Sequence, residues 1–219
     1  MTKSIIMIGA SGAVVSHALN RLIGMDDVSK ITLLVRRKIN IQSDKVTQHI
    51  VDVLDPSTYD RFLSGHTIAI STFGVGEPSK MAKDDFVKID KDAVLEFSTR
   101  CKAKGVSHFQ SLGSVGIDAN LSQYYLKTKG ELENGLRDLG FDRLSLFHPS
   151  MILTPTNRYG FSQGLTLAVW PYFTPFLLGP LRKLRGIKVD RLGTAIANNL
   201  SVNTIGEEIL EWDEFEALN

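Results

Sequence analysis

The stretch Ile5-Ile6-Met7-Ile8-Gly9-Ala10-Ser11-Gly12-Ala13-Val14-Val15 decides the fold. Its first four residues form a short, unbroken apolar run, the pattern of a strand covered on both faces. Gly9 permits a tight turn out of that strand, and Gly12 lets the backbone approach a ligand closely. The helical pattern that starts at Ala13 brings unpaired amides and the positive end of a helix dipole to the same place, which favours an anion. A glycine turn between a first strand and a helix is the diphosphate-binding opening of a dinucleotide unit. Gly9, Ala10, Ser11, Gly12, Ala13 and Val14 are therefore assigned to cofactor contact. The third small position of the fingerprint is Val15, so a wider approach of helix to strand is expected.

Outward from this loop, short β-branched runs alternate with helical stretches. Strands are expected at Ser4–Ile8, Lys30–Val35, Val46–Val51, Thr67–Ser71, His108–Leu112 and Leu144–His148. Helices are expected at Ala13–Ile23, Pro56–Leu63, Met81–Ala103 and Gln123–Leu139, with further helices at Ala195–Leu200 and Ile205–Trp212. The alternation implies an α/β fold of the Rossmann type, a doubly wound parallel sheet with right-handed crossovers. The chain reads as a single NAD(P)-binding domain over 1–219. Prolines 149, 155, 171, 175 and 180 loosen the pattern after residue 150, so residues 150–190 are expected to form a small substrate-covering lobe.

The second strand is followed by Arg36-Arg37-Lys38. An NAD-selective site places an acid here to accept from the ribose hydroxyls. Guanidiniums suit a 2′-phosphate instead, since they bind it through paired charge-assisted hydrogen bonds. Arg36 and Arg37 are thus expected to select NADP(H). Asp52 and Val53, past the third strand, fall where the adenine lies; Asp52 equally suits the cap of a helix near Pro56. Ser71-Thr72-Phe73-Gly74-Val75-Gly76 ends the fourth strand at the carboxyl edge, where ligands bind in such sheets, so Phe73 and Gly74 join the cofactor set.

Tyr125 and Lys129 are four residues apart on an expected helix and share a face. Ser114 lies just beyond the preceding strand. This trio suits proton transfer coupled to hydride transfer. A free tyrosine ionises near pH ~10, and a neighbouring ammonium together with an oxidised nicotinamide would favour the phenolate and bring that value down. Tyr124 is the rival tyrosine, but Lys129 is then five residues away and off its face.

Composition narrows the alternatives. Hydrophobic residues make up 43% of the 219, enough for a core without disulfide or metal, and Lys plus Arg number 25 against 24 acids. A nucleic-acid footprint needs a strongly basic face, so none is expected. Cys101 is the one cysteine and suits a reducing, cytoplasmic setting. The apolar run at the amino end is too short for a secretory signal. Leu165–Leu181 is apolar, but three prolines argue against a transmembrane span. The following Arg182-Lys183-Leu184-Arg185 leaves peripheral contact with an anionic membrane as a minor reading. His17, His49, His66, His108 and His148 show no ligand spacing, so no metal is implied; His148 alone is expected near the site.

With these residues assembled, the sequence resembles the short-chain dehydrogenase/reductase superfamily. It is similar to the atypical NAD(P)H-binding branch related to the Tat-interacting protein. The similarity is densest in Gly9–Gly12, Val35–Lys38, Phe86–Asp90, His108–Ser114, Tyr125–Glu131, Phe141–Arg143 and Phe147–Ser150. It implies catalytic roles for Ser114, Tyr125 and Lys129, with Lys129 also on the nicotinamide ribose. It also implies that Pro149 and Ser150 abut the nicotinamide, where the family has Arg-Pro-Gly and this chain has His148-Pro149-Ser150. The expected activity is NADPH-dependent reduction of a small carbonyl substrate. The branch also holds cofactor-sensing regulators, so an NADPH-binding sensor acting on a protein partner is the alternative, and a homodimer is compatible with either.

Overall fold

A computed structural model of the chain describes residues 2–10, 12–75, 81–154 and 177–219. In chain order these residues form β1 (Lys3–Ile8), α1 (Ala13–Ile23), β2 (Val28–Val35), β3 (Val46–Ile50), β4 (Ile68–Ser71), α2 (Lys83–Val87) and α3 (Ala93–Ala103). They continue through β5 (His108–Leu112), α4 (Tyr124–Asp138), β6 (Arg143–Phe147), β7 (Met151–Leu153), β8 (Gly186–Lys188), α5 (Val189–Asn198), β9 (Gly206–Leu210) and α6 (Trp212–Ala217). Seven strands form one parallel sheet in the order β3-β2-β1-β4-β5-β6-β9, and β7 pairs with β8 in a second, two-stranded sheet. The strand order reverses between β1 and β4, which makes their carboxyl ends the natural crevice of this doubly wound sheet.

Successive side chains of a strand point to opposite faces, and β1 divides accordingly. Ile5 and Met7 join a core with Val15, Leu19 and Leu22 of α1 and Leu192 and Ile196 of α5. Ile6 and Ile8 face a second core built on Phe97 of α3, Leu132 and Leu136 of α4, and Phe109. Val15 is fully buried, so the third fingerprint position serves packing. Gly193 of α5 lies hard against α1: a β-carbon there would sit 2.6 Å from the Cβ of His17 and 2.7 Å from the Val14 carbonyl oxygen.

Four expectations are corrected. Residues 206–210 form edge strand β9 rather than part of a helix over Ile205–Trp212. Pairing with β6 overrides the helix-like composition of Gly206-Glu207-Glu208-Ile209-Leu210. The helix expected at Pro56–Leu63 is two short 3-10 turns, Pro56–Thr58 and Asp60–Phe62. The helix expected over Met81–Ala103 begins at Lys83 and is interrupted by a π-helical turn at Lys88–Asp92. The helix expected at Ala195–Leu200 starts earlier, as α5, and closes in a 3-10 turn at Asn199–Ser201. The expected covering lobe falls largely on residues 155–176, outside the described residues, as do Ser11 and Gly76.

Candidate functional site

Gly9 leaves β1 with φ +83°, a conformation that side-chain-bearing residues rarely adopt. A β-carbon there would also lie 2.6 Å from both the Phe73 nitrogen and the Thr72 carbonyl carbon. The loop after β1 and the loop after β4 pass this closely only because Gly9 has no side chain. Gly12 is the extended N-cap of α1 and supplies no side-chain cap. The first amides of a helix have no intrahelical acceptor, so those opening α1 are suited to meet an anion.

Two clefts run along the carboxyl edge. The smaller, about 220 Å³, is lined by Gly9, Ala10, Gly12, Arg36, Val53, Phe73 and Gly74, together with Leu34, Val35 and Thr72. The larger, about 450 Å³, has walls that include Gly12, Ala13, Val14, Phe73, Gly74, Ser114, Tyr125, Lys129, Pro149 and Ser150. They share Gly12, Thr72, Phe73 and Gly74 as a common wall and so adjoin at the switch point. Among the described residues, two sequence candidates are not on their walls. Arg37 is exposed beyond the smaller cleft. Asp52 turns onto its own loop, where Oδ1 accepts from the Leu54 amide at 2.9 Å. The turn at Pro56 is capped by Asp55, which accepts from the Ser57 amide.

The helix α4 delivers Tyr125 and Lys129 to the larger cleft. Tyr125 packs against Phe86 of α2, with ring centroids 5.8 Å apart. Tyr124 points elsewhere and donates its hydroxyl to the Lys83 carbonyl. Ser114 is half-buried at the end of β5. Its loop is tied to the loop after β6, since the Gly113 amide donates to Phe147 at 2.8 Å and the Val115 amide to Pro149 at 3.1 Å. The loop also crosses α4 at Gly130, where a β-carbon would lie 2.2 Å from the Ala119 nitrogen.

Sequence reasoning missed Asp90. It stands in the π-helical turn, is 1% exposed, and its Oδ1 lies 2.6 Å from Nζ of Lys129, itself 6% exposed. Oδ2 accepts from the Val75 amide at 2.8 Å. Gly74 makes room for the pair: a β-carbon there would be 2.7 Å from Asp90 Oδ1. Lys91 of the same turn pairs with Glu131 of α4 at 2.9 Å, a second tie between the two elements. π-Turns are rare and recur at functional sites. The legible signal was an acid at the spacing of the apolar stripe Phe86, Val94, Phe97. Burial first, and the Asp90 charge second, push the Tyr125 phenol of the chain by itself up to about 12. The Lys129 charge is answered by Asp90, so it does not lower the phenol.

His148 is buried near the site but lines neither cleft. Its Nε2 lies 2.6 Å from Oε1 of Glu133. The basic run 182–185 is bound to its own chain: Arg182 pairs with Asp213 at 2.7 Å, and the Arg182 and Arg185 guanidiniums sit 5.2 and 4.7 Å from the Trp212 ring. Residues 165–176 of the apolar segment lie outside the described residues. No helix among the described residues is long and apolar enough to cross a membrane.

No protein-family model matches the chain. Over 154 residues, 69% of its length, it is 36% identical to HTATIP2 of Rattus norvegicus, and the match spans 63% of that protein. It is 25% identical over 217 residues to "Protein FMP52-1, mitochondrial" of Scheffersomyces stipitis, covering 96% of this chain and 92% of that one. Among solved structures, the Bordetella bronchiseptica enzyme WbmH in complex with NAD+ superimposes with a TM-score of 0.70 at 14% identity, covering 96% of this chain and 75% of that one. At that identity the likeness is one of fold. The chain is thus similar in sequence to HTATIP2 over the matched 154 residues and shares its fold with solved oxidoreductase and epimerase structures.

Proposed function

We propose that the chain is a nicotinamide-dinucleotide-dependent oxidoreductase that prefers NADPH and reduces a small carbonyl compound. The observation that carries this reading is the pair of adjoining clefts, one reaching Arg36 and the other Tyr125, on either side of the shared wall of Gly12, Thr72, Phe73 and Gly74. A dinucleotide is long, charged at its centre and bears a polar ring at each end. The uncapped amides of α1 beside that wall fit its diphosphate. Arg36, at the smaller cleft, fits a 2′-phosphate.

A bound reduced nicotinamide supplies hydride to the carbonyl carbon. The chain's own residues handle the oxygen and its proton. Ser114 donates a hydrogen bond to the substrate oxygen, and Tyr125 gives that oxygen its proton. Tyr125 holds its proton across neutral pH, because its phenol is pushed up to about 12. Lys129 keeps Asp90 on one N–H and holds a ribose hydroxyl with another, since an ammonium carries three donors. NADPH consumption across a panel of carbonyl compounds tests this, and Tyr125→Phe is expected to lower kcat by about 10²–10⁴-fold, the usual span for a lost general acid. A wild type as inert as the variant on every substrate would end the enzyme reading.

The Asp90–Lys129 pair supports a second reading, an NADPH-binding regulator of a protein partner. A phenol ionising far above the working pH is a weak acid, and a neutralised lysine does little to strengthen it. Tight NADPH binding without turnover, and a partner whose capture responds to NADPH, would favour this reading.

Cofactor preference has its own test. A charge-assisted hydrogen bond is worth about 1.5–3 kcal/mol, so Arg36→Ala is expected to raise the NADPH Kd by about 10–100-fold and leave NADH unchanged. Arg37→Ala should cost less, since Arg37 does not line the cleft. Equal wild-type affinity for the two cofactors by calorimetry would overturn the NADP assignment. A cytoplasmic setting rests on composition alone; fractionation decides it, and a mitochondrial fraction would overturn it.

A further inference from the structure

The helix that carries Tyr125 and Lys129 carries a third residue on the same face, Glu133, one turn beyond Lys129. Its Oε1 lies 2.6 Å from Nε2 of His148, and the two side chains are 6% and 8% exposed. His148 belongs to the turn after β6 that continues into Pro149 and Ser150 on the wall of the larger cleft. Its backbone is held from the far side, the His148 amide donating to the Leu210 carbonyl of β9 at 2.8 Å. Gly113, directly before Ser114, lies against both members of the pair. A β-carbon there would be 3.0 Å from Glu133 Oε1 and 3.3 Å from His148 Cδ2. The other Glu133 oxygen faces Arg137 at 3.5 Å, and Arg137 continues to Glu207 of β9 at 2.8 Å. Two loops and one helix that build the larger cleft therefore meet at a single buried hydrogen bond.

The geometry points to His148–Glu133 as the positioning pair of the nicotinamide end. It fastens α4 to the Pro149–Ser150 turn and the Gly113–Ser114 loop, and so sets the width of the larger cleft without touching what binds there. The inference rests on reading that cleft as the nicotinamide end of the site. The smaller cleft shares none of these elements, so loss of the pair should weaken contacts to one half of the dinucleotide and spare the other. Supporting residues act on a site in this way, by fixing the groups that touch the ligand.

Calorimetry on the full chain separates the halves, with NADPH as the whole ligand and 2′,5′-ADP as its adenosine half. Glu133→Ala and His148→Leu are each expected to raise the NADPH Kd about tenfold, the loss of about one good hydrogen bond. The 2′,5′-ADP Kd should stay within about twofold. Glu133→Gln can still accept from the imidazole and should recover most of the NADPH affinity. If Glu133→Ala does not fold, His148→Leu and Glu133→Gln carry the comparison. Parallel weakening of both ligands, as a merely destabilised fold would give, or no weakening at all, would overturn the proposal. A wild type that binds 2′,5′-ADP but gains nothing from the nicotinamide half would instead overturn the reading of the larger cleft, and this inference with it.

Discussion

Replacing Gly130 by alanine is expected to cost the fold about 3 kcal/mol or more, while the same change at Gly135 should be close to neutral. Both residues lie on α4 and both are closely approached. At Gly130 the new β-carbon would meet backbone, 2.2 Å from the Ala119 nitrogen and 2.5 Å from the Asp118 carbonyl carbon. Backbone can yield only by moving the whole loop that begins at Ser114. At Gly135 the nearest atom is Cδ2 of Leu95 at 2.6 Å, the far end of a side chain that can change rotamer. Alanine also favours a helix over glycine by about 1 kcal/mol, which offsets that adjustment. For a chain of this length each kcal/mol shifts Tm by about 2–4 °C, so thermal unfolding of Gly130→Ala should fall by about 6–12 °C. Whatever fraction still folds should have lost the Ser114 geometry. Equal Tm values for the two variants would show that the loop does not rest on α4.

The contrast shows which parts of the site the sequence could announce. The loop Gly9–Gly12 was legible because strand, turn and helix each demand their residues locally, and Gly9 indeed takes φ +83°. Tyr125 and Lys129 were legible because helical spacing alone puts them on one face. Asp90 was not assigned: it stands at the spacing of the stripe Phe86, Val94 and Phe97, but its partner Lys129 comes from another element and no local pattern joins the two. His148 was placed near the site, but its partner Glu133 was hidden, since residues fifteen apart in sequence meet only through packing of β6 on α4. Strand β9 was misread because it is an edge strand with one neighbour, and its exposed Glu207 lacks the apolar run that marks the central strands. Arg36-Arg37 read as a pair, yet only Arg36 reaches the cleft wall.

Asp90→Asn is expected to destabilise the fold and make Tyr125 easier to ionise. Asparagine keeps an acceptor for the Val75 amide and removes only the charge. Lys129, 6% exposed, is then an ammonium without its counter-ion. Breaking a buried pair by removing one partner costs about 3–5 kcal/mol, and the retained hydrogen bond puts this variant near the lower end, a Tm fall of about 6–12 °C. The effect on Tyr125 has a definite sign. Its phenol is pushed up to about 12, by burial first and by the Asp90 charge second. The variant removes the anion and leaves a net positive charge beside the phenol; both favour the phenolate, so the pKa falls. In the wild type an unfolded tyrosine ionises near ~10. Between that pH and about 12 the unfolded chain therefore binds fewer protons than the fold, and stability declines as pH rises. That alkaline loss should shrink in Asp90→Asn. Tyrosinate absorbance, taken as the difference between each protein and its Tyr125→Phe counterpart, isolates the residue. Under the reductase reading the alkaline fall in kcat should move to lower pH by the same amount, because donation needs the phenol protonated. An unchanged Tm together with an unmoved Tyr125 titration would mean that Asp90 does not govern the charge at the centre of this site.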